Sequence, residues 1–193
     1  MERFEKKETI IYGGAFNPPT LAHQAILNAA TEYAEVQNAD IWIMLSGDRQ
    51  DKTITTARDR RIEYGQAMAR GVLSESVVPE VMTMELDRTE MVETYDTVKQ
   101  LETEFPDRSF TFIFGADSTE TMGEWQHGDK LLEELKMLVV EREGSTVNPL
   151  AKRAIAMTIH TMNVSSTQVR QRISDNAPVD DLVTSQVAEL IYQ

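Results

Sequence analysis

Residues 9–23 read TIIYGGAFNPPTLAH, and this stretch decides the fold. The apolar residues Thr9 to Tyr12 suit a short buried strand, whereas the glycines and prolines of GGAFNPP end regular structure. An alanine-rich run with helical character follows from about Leu21 to Val36. A strand, a glycine-rich loop and a helix make half of an α/β unit, and the alternation then repeats. IWIML at 41–45 reads as a strand, a polar loop with Lys52 follows, and a helix is expected from about Ala57 to Gly71. After a strand at Val81 to Leu86, the residues Tyr95, Val98, Leu101 and Phe105 fall at spacings of three and four, the buried stripe of a helix. FTFIFG at 110–115 and MLVV at 137–140 are apolar throughout, as the central strands of a parallel sheet are. The pattern predicts an α/β doubly wound parallel sheet with right-handed crossovers, whose ligands sit beyond the carboxyl ends of the strands. Val179, Val183, Val187 and Leu190 predict a last helix with Asp180 and Asp181 in its first turn, so the part from about residue 149 is expected to be helical. With no repeat or linker, residues 1–193 read as one domain.

The bulk properties narrow the function. Nineteen basic against 32 acidic residues leave a net charge of −13, which argues against a nucleic acid or an anionic membrane as the main partner. The absence of cysteine excludes thiol catalysis, disulfides and cysteine-bound zinc. The amino terminus MERFEKKETI lacks a signal-peptide core, and no apolar run approaches the roughly 20 residues needed to cross a bilayer. The expected location is cytoplasmic. Assembly into a homo-oligomer is left open.

Two clusters carry the chemistry. Gly13, Gly14, Phe16, Asn17, Thr20 and His23 lie between the first strand and the first helix, where a mononucleotide binds in a doubly wound sheet. Glycines let the backbone approach phosphate oxygens, and a helix amino terminus offers free N–H groups and partial positive charge. Thr20 and His23, about one turn apart, can face one anion. Gly13 and Gly14 alone read as a tight turn, because the G-x-G-x-x-G pattern is absent. In the second cluster, Ser165, Ser166 and Thr167 precede Arg170, so an N-cap, hydroxyls and a guanidinium converge on one point. That arrangement suits a phosphate, although a serine-rich cap with a solvated arginine has the same sequence.

Taken together the clusters have a family likeness. GGAFNPPTLAH resembles the G-G-x-F-[DN]-P-x-[HT]-x-x-H signature of the nucleotidyltransferase superfamily, which makes NAD, coenzyme A and CDP-linked precursors, and VSSTQVR resembles its second signature, I-S-S-T-x-x-R. GADS at 115–118, Trp125 and the stretch from Glu85 to Val98 are similar to the nicotinate mononucleotide adenylyltransferases, and the likeness runs from about Thr9 to Ile173.

The resemblance implies a Rossmann-like nucleotidyltransferase fold and adenylyl transfer from ATP to nicotinate or nicotinamide mononucleotide, with release of pyrophosphate. It implies that His23, with Thr20 as a second donor, meets the ATP phosphates as charge builds at the α-phosphorus. Gly13, Gly14, Phe16 and Asn17 would line the phosphate site, and Ser165, Ser166, Thr167 and Arg170 would hold the β- and γ-phosphates. Asp117 would contact adenosine; Trp125, Thr94, Tyr95 and Lys52 would serve the mononucleotide. Mg²⁺ is expected on the phosphates, without an assigned protein ligand. Trp125 and Tyr95 read equally as core residues and Lys52 as a solvated one, while His127 and His160 show no metal-binding pattern. Many relatives carry H-x-G-H where this chain has Thr20-Leu21-Ala22-His23, so a cationic donor is exchanged for a hydroxyl. Two rival readings are another adenylyltransferase, acting on phosphopantetheine, and a nucleotide sensor without turnover.

Overall fold

Strand β1 (Lys7–Gly14) forms the middle of a six-stranded sheet in the computed structural model, which describes residues 5–47, 54–88, 90, 93–141, 145–159 and 162–193. Helix α1 (Leu21–Gln37) leads to β2 (Asp40–Leu45), α2 (Arg58–Arg70) to β3 (Glu80–Met82), and α3 (Thr94–Glu104) to β4 (Arg108–Gly115). Then come α4 (Ala116–Thr121), a 3₁₀ turn at Met122–Glu124, α5 (Gly128–Glu134), β5 (Lys136–Glu141), β6 (Ala154–Thr158), α6 (Ser166–Ser174) and α7 (Ser185–Ile191). The spatial order is β3-β2-β1-β4-β5-β6 and every pairing is parallel, so the direction of winding reverses between β1 and β4.

Alternate side chains of the strands go to opposite faces, and both faces are covered. Ile10, Ile41, Ile43, Leu45 and Leu138 pack with Ile26, Leu27, Ala30 and Ala34 of α1 and Met68 of α2. Ile11, Trp42, Met44, Phe112 and Val139 pack with Val98 and Leu101 of α3 and Leu131 and Leu132 of α5. Two-sided burial is why these strands are apolar without alternation. A third cluster joins Tyr64 and Ala67 of α2 to Val169 of α6, Val187 and Ala188 of α7, and Val179, Leu182 and Val183 between them. Among the described residues no helix is long and apolar enough to cross a membrane.

Three expectations change. The segment from residue 149 is not helical throughout, because 154–158 completes the sheet as β6 and the helices begin at Ser166. The last helix starts at Ser185, with the Thr184 hydroxyl accepting from Val187 N–H; Val179 to Val183 instead form a turn closed by Leu182 N–H to Val179 O at 2.9 Å. Their spacing imitates a helix because the turn buries the same residues against α2. Finally, β3 has three residues, and Leu86 lies beyond it.

Candidate active site

The reversal between β1 and β4 opens a crevice at their carboxyl ends, and the first cluster lies there. A Cβ on Gly14 would meet the Phe16 ring at 2.9 Å, so the ring covers Gly14. A Cβ on Gly13 meets nothing within 4 Å, so nothing inside the chain demands glycine at that point. Phe16 takes a left-handed backbone at φ 44° and is buried, its ring edge-on to Tyr12 and His23 with centroids 5.1 and 5.4 Å away. Its side chain therefore shapes the loop, while the N–H groups of Ala15, Phe16 and Asn17 have no hydrogen-bond partner among the described residues.

Thr20 is the N-cap of α1, and His23 is the third residue of the helix. Thr20 N–H donates to His23 Nδ1 at 3.0 Å, and Thr20 Oγ1 lies 2.8 Å from the same nitrogen. An imidazole that accepts at Nδ1 carries its proton on Nε2 when neutral, which makes Nε2 the donor. Thr20 is 1 % exposed, and its hydroxyl lies against the imidazole.

Helix α6 brings the second cluster to the first. Ser165 is its N-cap, accepting from Gln168 N–H while its own N–H donates to Gln168 Oε1 at 2.7 Å. Ser166 Oγ donates to Pro18 O at 2.8 Å, and Arg170 Nη1 to Asn17 O at 2.7 Å, so residues about 150 apart in sequence are directly bonded. Arg170 Nη2 donates to Thr167 Oγ1 at 3.0 Å, and Thr167 is exposed. The C-terminal turn adds a tie where Leu21 N–H, in the first turn of α1, donates to Leu182 O at 2.9 Å.

The remaining predicted residues are spread more widely. Asp117 is exposed in the first turn of α4, not in a loop, and its Oδ1 would lie 2.3 Å from a Cβ on Gly115; the glycine makes room for that carboxylate beside the end of β4. Trp125 is half-buried with its ring edge-on to Phe114 at 6.0 Å. Thr94 begins α3 and is half-buried. Tyr95 lies tilted at 47° against the His127 ring at 4.4 Å, with Lys99 and Lys130 over its ring, and it lines a groove of about 300 Å³ between α3 and α5. That groove runs toward the amino ends of β4 and β5, so Tyr95 is engaged on the flank of the sheet. Lys52 and His160 lie outside the described residues.

Arg61 is a residue that no motif in the sequence marks. This α2 residue is 2 % exposed, and its guanidinium donates to the carbonyls of Ala15 and Ser46. The donor set at the crevice is thus amides, hydroxyls, an imidazole and two guanidinium groups, which suits an anion in an otherwise acidic chain. Among the described residues no group of three or more His, Asp or Glu gathers to hold a metal ion.

Known proteins resemble the chain over nearly its whole length. The family model described as cytidylyltransferase-like matches residues 11–172. A probable nicotinate-nucleotide adenylyltransferase of Exiguobacterium sibiricum is 31 % identical over 186 residues, covering 95 % of each chain. The protein of the same name from Bacillus licheniformis is 30 % identical over 182 residues, covering 92 % of this chain and 91 % of its own. The structure of Plasmodium falciparum nicotinic acid mononucleotide adenylyltransferase complexed with NaAD superimposes with a TM-score of 0.78 at 21 % identity, covering 96 % of this chain and 95 % of that one. The same enzyme complexed with APC gives 0.75 at 20 % identity, covering 96 % and 94 %.

Proposed function

The chain belongs to the cytidylyltransferase-like family, and from that premise we propose that it is a nicotinate-nucleotide adenylyltransferase, joining nicotinate mononucleotide to the adenylyl group of ATP. A phosphate oxygen of the mononucleotide attacks the α-phosphorus of ATP, the bond from that phosphorus to the bridging oxygen breaks, and pyrophosphate leaves as the dinucleotide forms. This is a step of NAD biosynthesis, and a cytoplasmic site of action fits it.

The observation that carries the reading is the docking of α6 on the loop after β1, through Ser166 to Pro18 and Arg170 to Asn17. It gathers the loop amides that have no partner among the described residues, the amino terminus of α6 and a guanidinium at the switch point of the sheet. The attacking phosphate is already an anion at neutral pH, so the chain needs no general base; positioning and charge stabilisation carry the catalysis. His23 Nε2–H donates to a phosphate oxygen as charge builds, held in the correct tautomer by Thr20. Ser165, Thr167 and Arg170 face the β- and γ-phosphates, and Asp117, beside the end of β4, meets the adenosine. Trp125 and Thr94 are assigned to the pyridine ring by the family resemblance. Mg²⁺, carried by the ATP phosphates and not by a side chain of the chain, would supply charge neutralisation at the departing pyrophosphate. The donor set of the chain suits the anion rather than the metal, which fits a cation carried by the nucleotide.

The test is incubation with ATP, Mg²⁺ and either nicotinate or nicotinamide mononucleotide, with the dinucleotide read by mass spectrometry. The expected result is dinucleotide and pyrophosphate with the nicotinate substrate in excess of the amide. No dinucleotide from either would refute the assignment, and product from phosphopantetheine would replace it with the rival transferase.

A further inference from the structure

Arginine is among the residues least often buried, yet Arg61 sits beneath the crevice at 2 % exposure. Its Nε and Nη2 donate to the Ala15 carbonyl at 3.4 and 3.3 Å, and Nη2 donates to the Ser46 carbonyl as well. Ala15 begins the loop after β1, and Ser46 begins the loop after β2. Ser46 N–H donates in turn to Gly14 O at 3.0 Å, so the two loop starts are tied both through the guanidinium and directly.

This tie fixes the direction of one peptide. The Ala15–Phe16 peptide is trans, and in a trans peptide the carbonyl and the following N–H point in opposite directions. With Ala15 C=O turned inward to Arg61, Phe16 N–H is turned outward. The left-handed backbone at Phe16 places this N–H in a run with those of Ala15 and Asn17, all without hydrogen-bond partners among the described residues, and such runs form anion-binding concavities. We propose that Arg61 is a positioning residue for adenylyl transfer, holding the Ala15–Phe16 peptide so that Phe16 N–H faces the ATP phosphates. The inference rests on the function given above.

The experiment compares the full chain with Arg61→Met and Arg61→Lys, by steady-state kinetics and by the ¹⁵N–¹H resonance of Phe16 during titration with α,β-methylene ATP. In the unaltered protein the Phe16 amide shifts on titration. In Arg61→Met that shift is lost, kcat falls about 10²-fold and the KM for ATP rises, while the KM for the mononucleotide is unchanged. Arg61→Lys keeps the charge but lacks the fork, so it falls between, with kcat down roughly tenfold. An arginine that merely supports the fold would lower the melting temperature of both variants and leave the kinetics of the folded protein and the Phe16 response as they were; that result overturns the proposal. Should Arg61→Met fail to fold, a folded Arg61→Lys with unaltered kcat and ATP KM overturns it equally. If the unaltered protein makes no dinucleotide, the functional assignment fails, and the Phe16 titration still decides the role of Arg61.

Discussion

Under the proposed function His23 performs two tasks with two nitrogens, and substitutions can separate them. Nδ1 accepts the Thr20 N–H at 3.0 Å and so caps α1, whereas Nε2 carries the proton offered to phosphate. Asparagine places a side-chain oxygen close to the position of Nδ1 but has nothing where Nε2 stands. His23→Asn therefore keeps the cap and loses the donor, whereas His23→Ala loses both. Removal of a capping acceptor costs about 1 kcal/mol, which for a chain of this size lowers the melting temperature by roughly 2–4 °C. Removal of a transition-state donor costs about 10²–10³-fold in kcat. The expectation is that both variants lose turnover to the same extent, measured by pyrophosphate release at saturating substrates, while the fall in melting temperature appears chiefly in His23→Ala. Turnover that follows stability, or a His23→Asn variant with unaltered kcat, would refute the division of labour.

Two further outcomes follow from the geometry. Gly13→Ala has room for its methyl inside the chain, so stability should change by less than about 0.5 kcal/mol while the KM for ATP rises; an unaltered KM would show that nothing approaches that point. At Asp40, burial pushes the carboxyl up, but the Arg108 hydrogen bond and charge together with Lys7 outweigh it and hold the group below the usual carboxylate range. A depressed folded value contributes stability that is present above that range and lost as pH falls through it. Asp40→Asn should accordingly lower the melting temperature at pH 7, with the difference from the unaltered chain vanishing under strong acid; a difference that persists there would contradict the assignment.

The alternation of strands and helices was legible because two-sided burial leaves unbroken apolar runs such as FTFIF, and glycine and proline mark the loops between them. The two clusters stood out because glycines and hydroxyls at strand-to-helix junctions suit a phosphate, although a tight turn and a serine N-cap leave the same residues there. Arg61 was not. It stands in a run with Arg58 and Arg60, and only the packing of α2 shows that one of the three points inward. Strand β6 was missed because AIAMT is short, lies at the edge of the sheet and exposes Ile155, Ala156 and Thr158. The turn at 179–183 was mistaken for a helix because spacing reports which residues are buried, not the backbone that buries them.

The bonds from Ser166 to Pro18 and from Arg170 to Asn17 span 148 and 153 residues of chain. During synthesis the glycine loop emerges early and its partners late, so at 5–20 residues per second the loop waits roughly 8–30 s for the helix that completes it. A nascent or prematurely terminated chain can thus carry the whole first signature, and even much of the sheet, without being able to consume ATP.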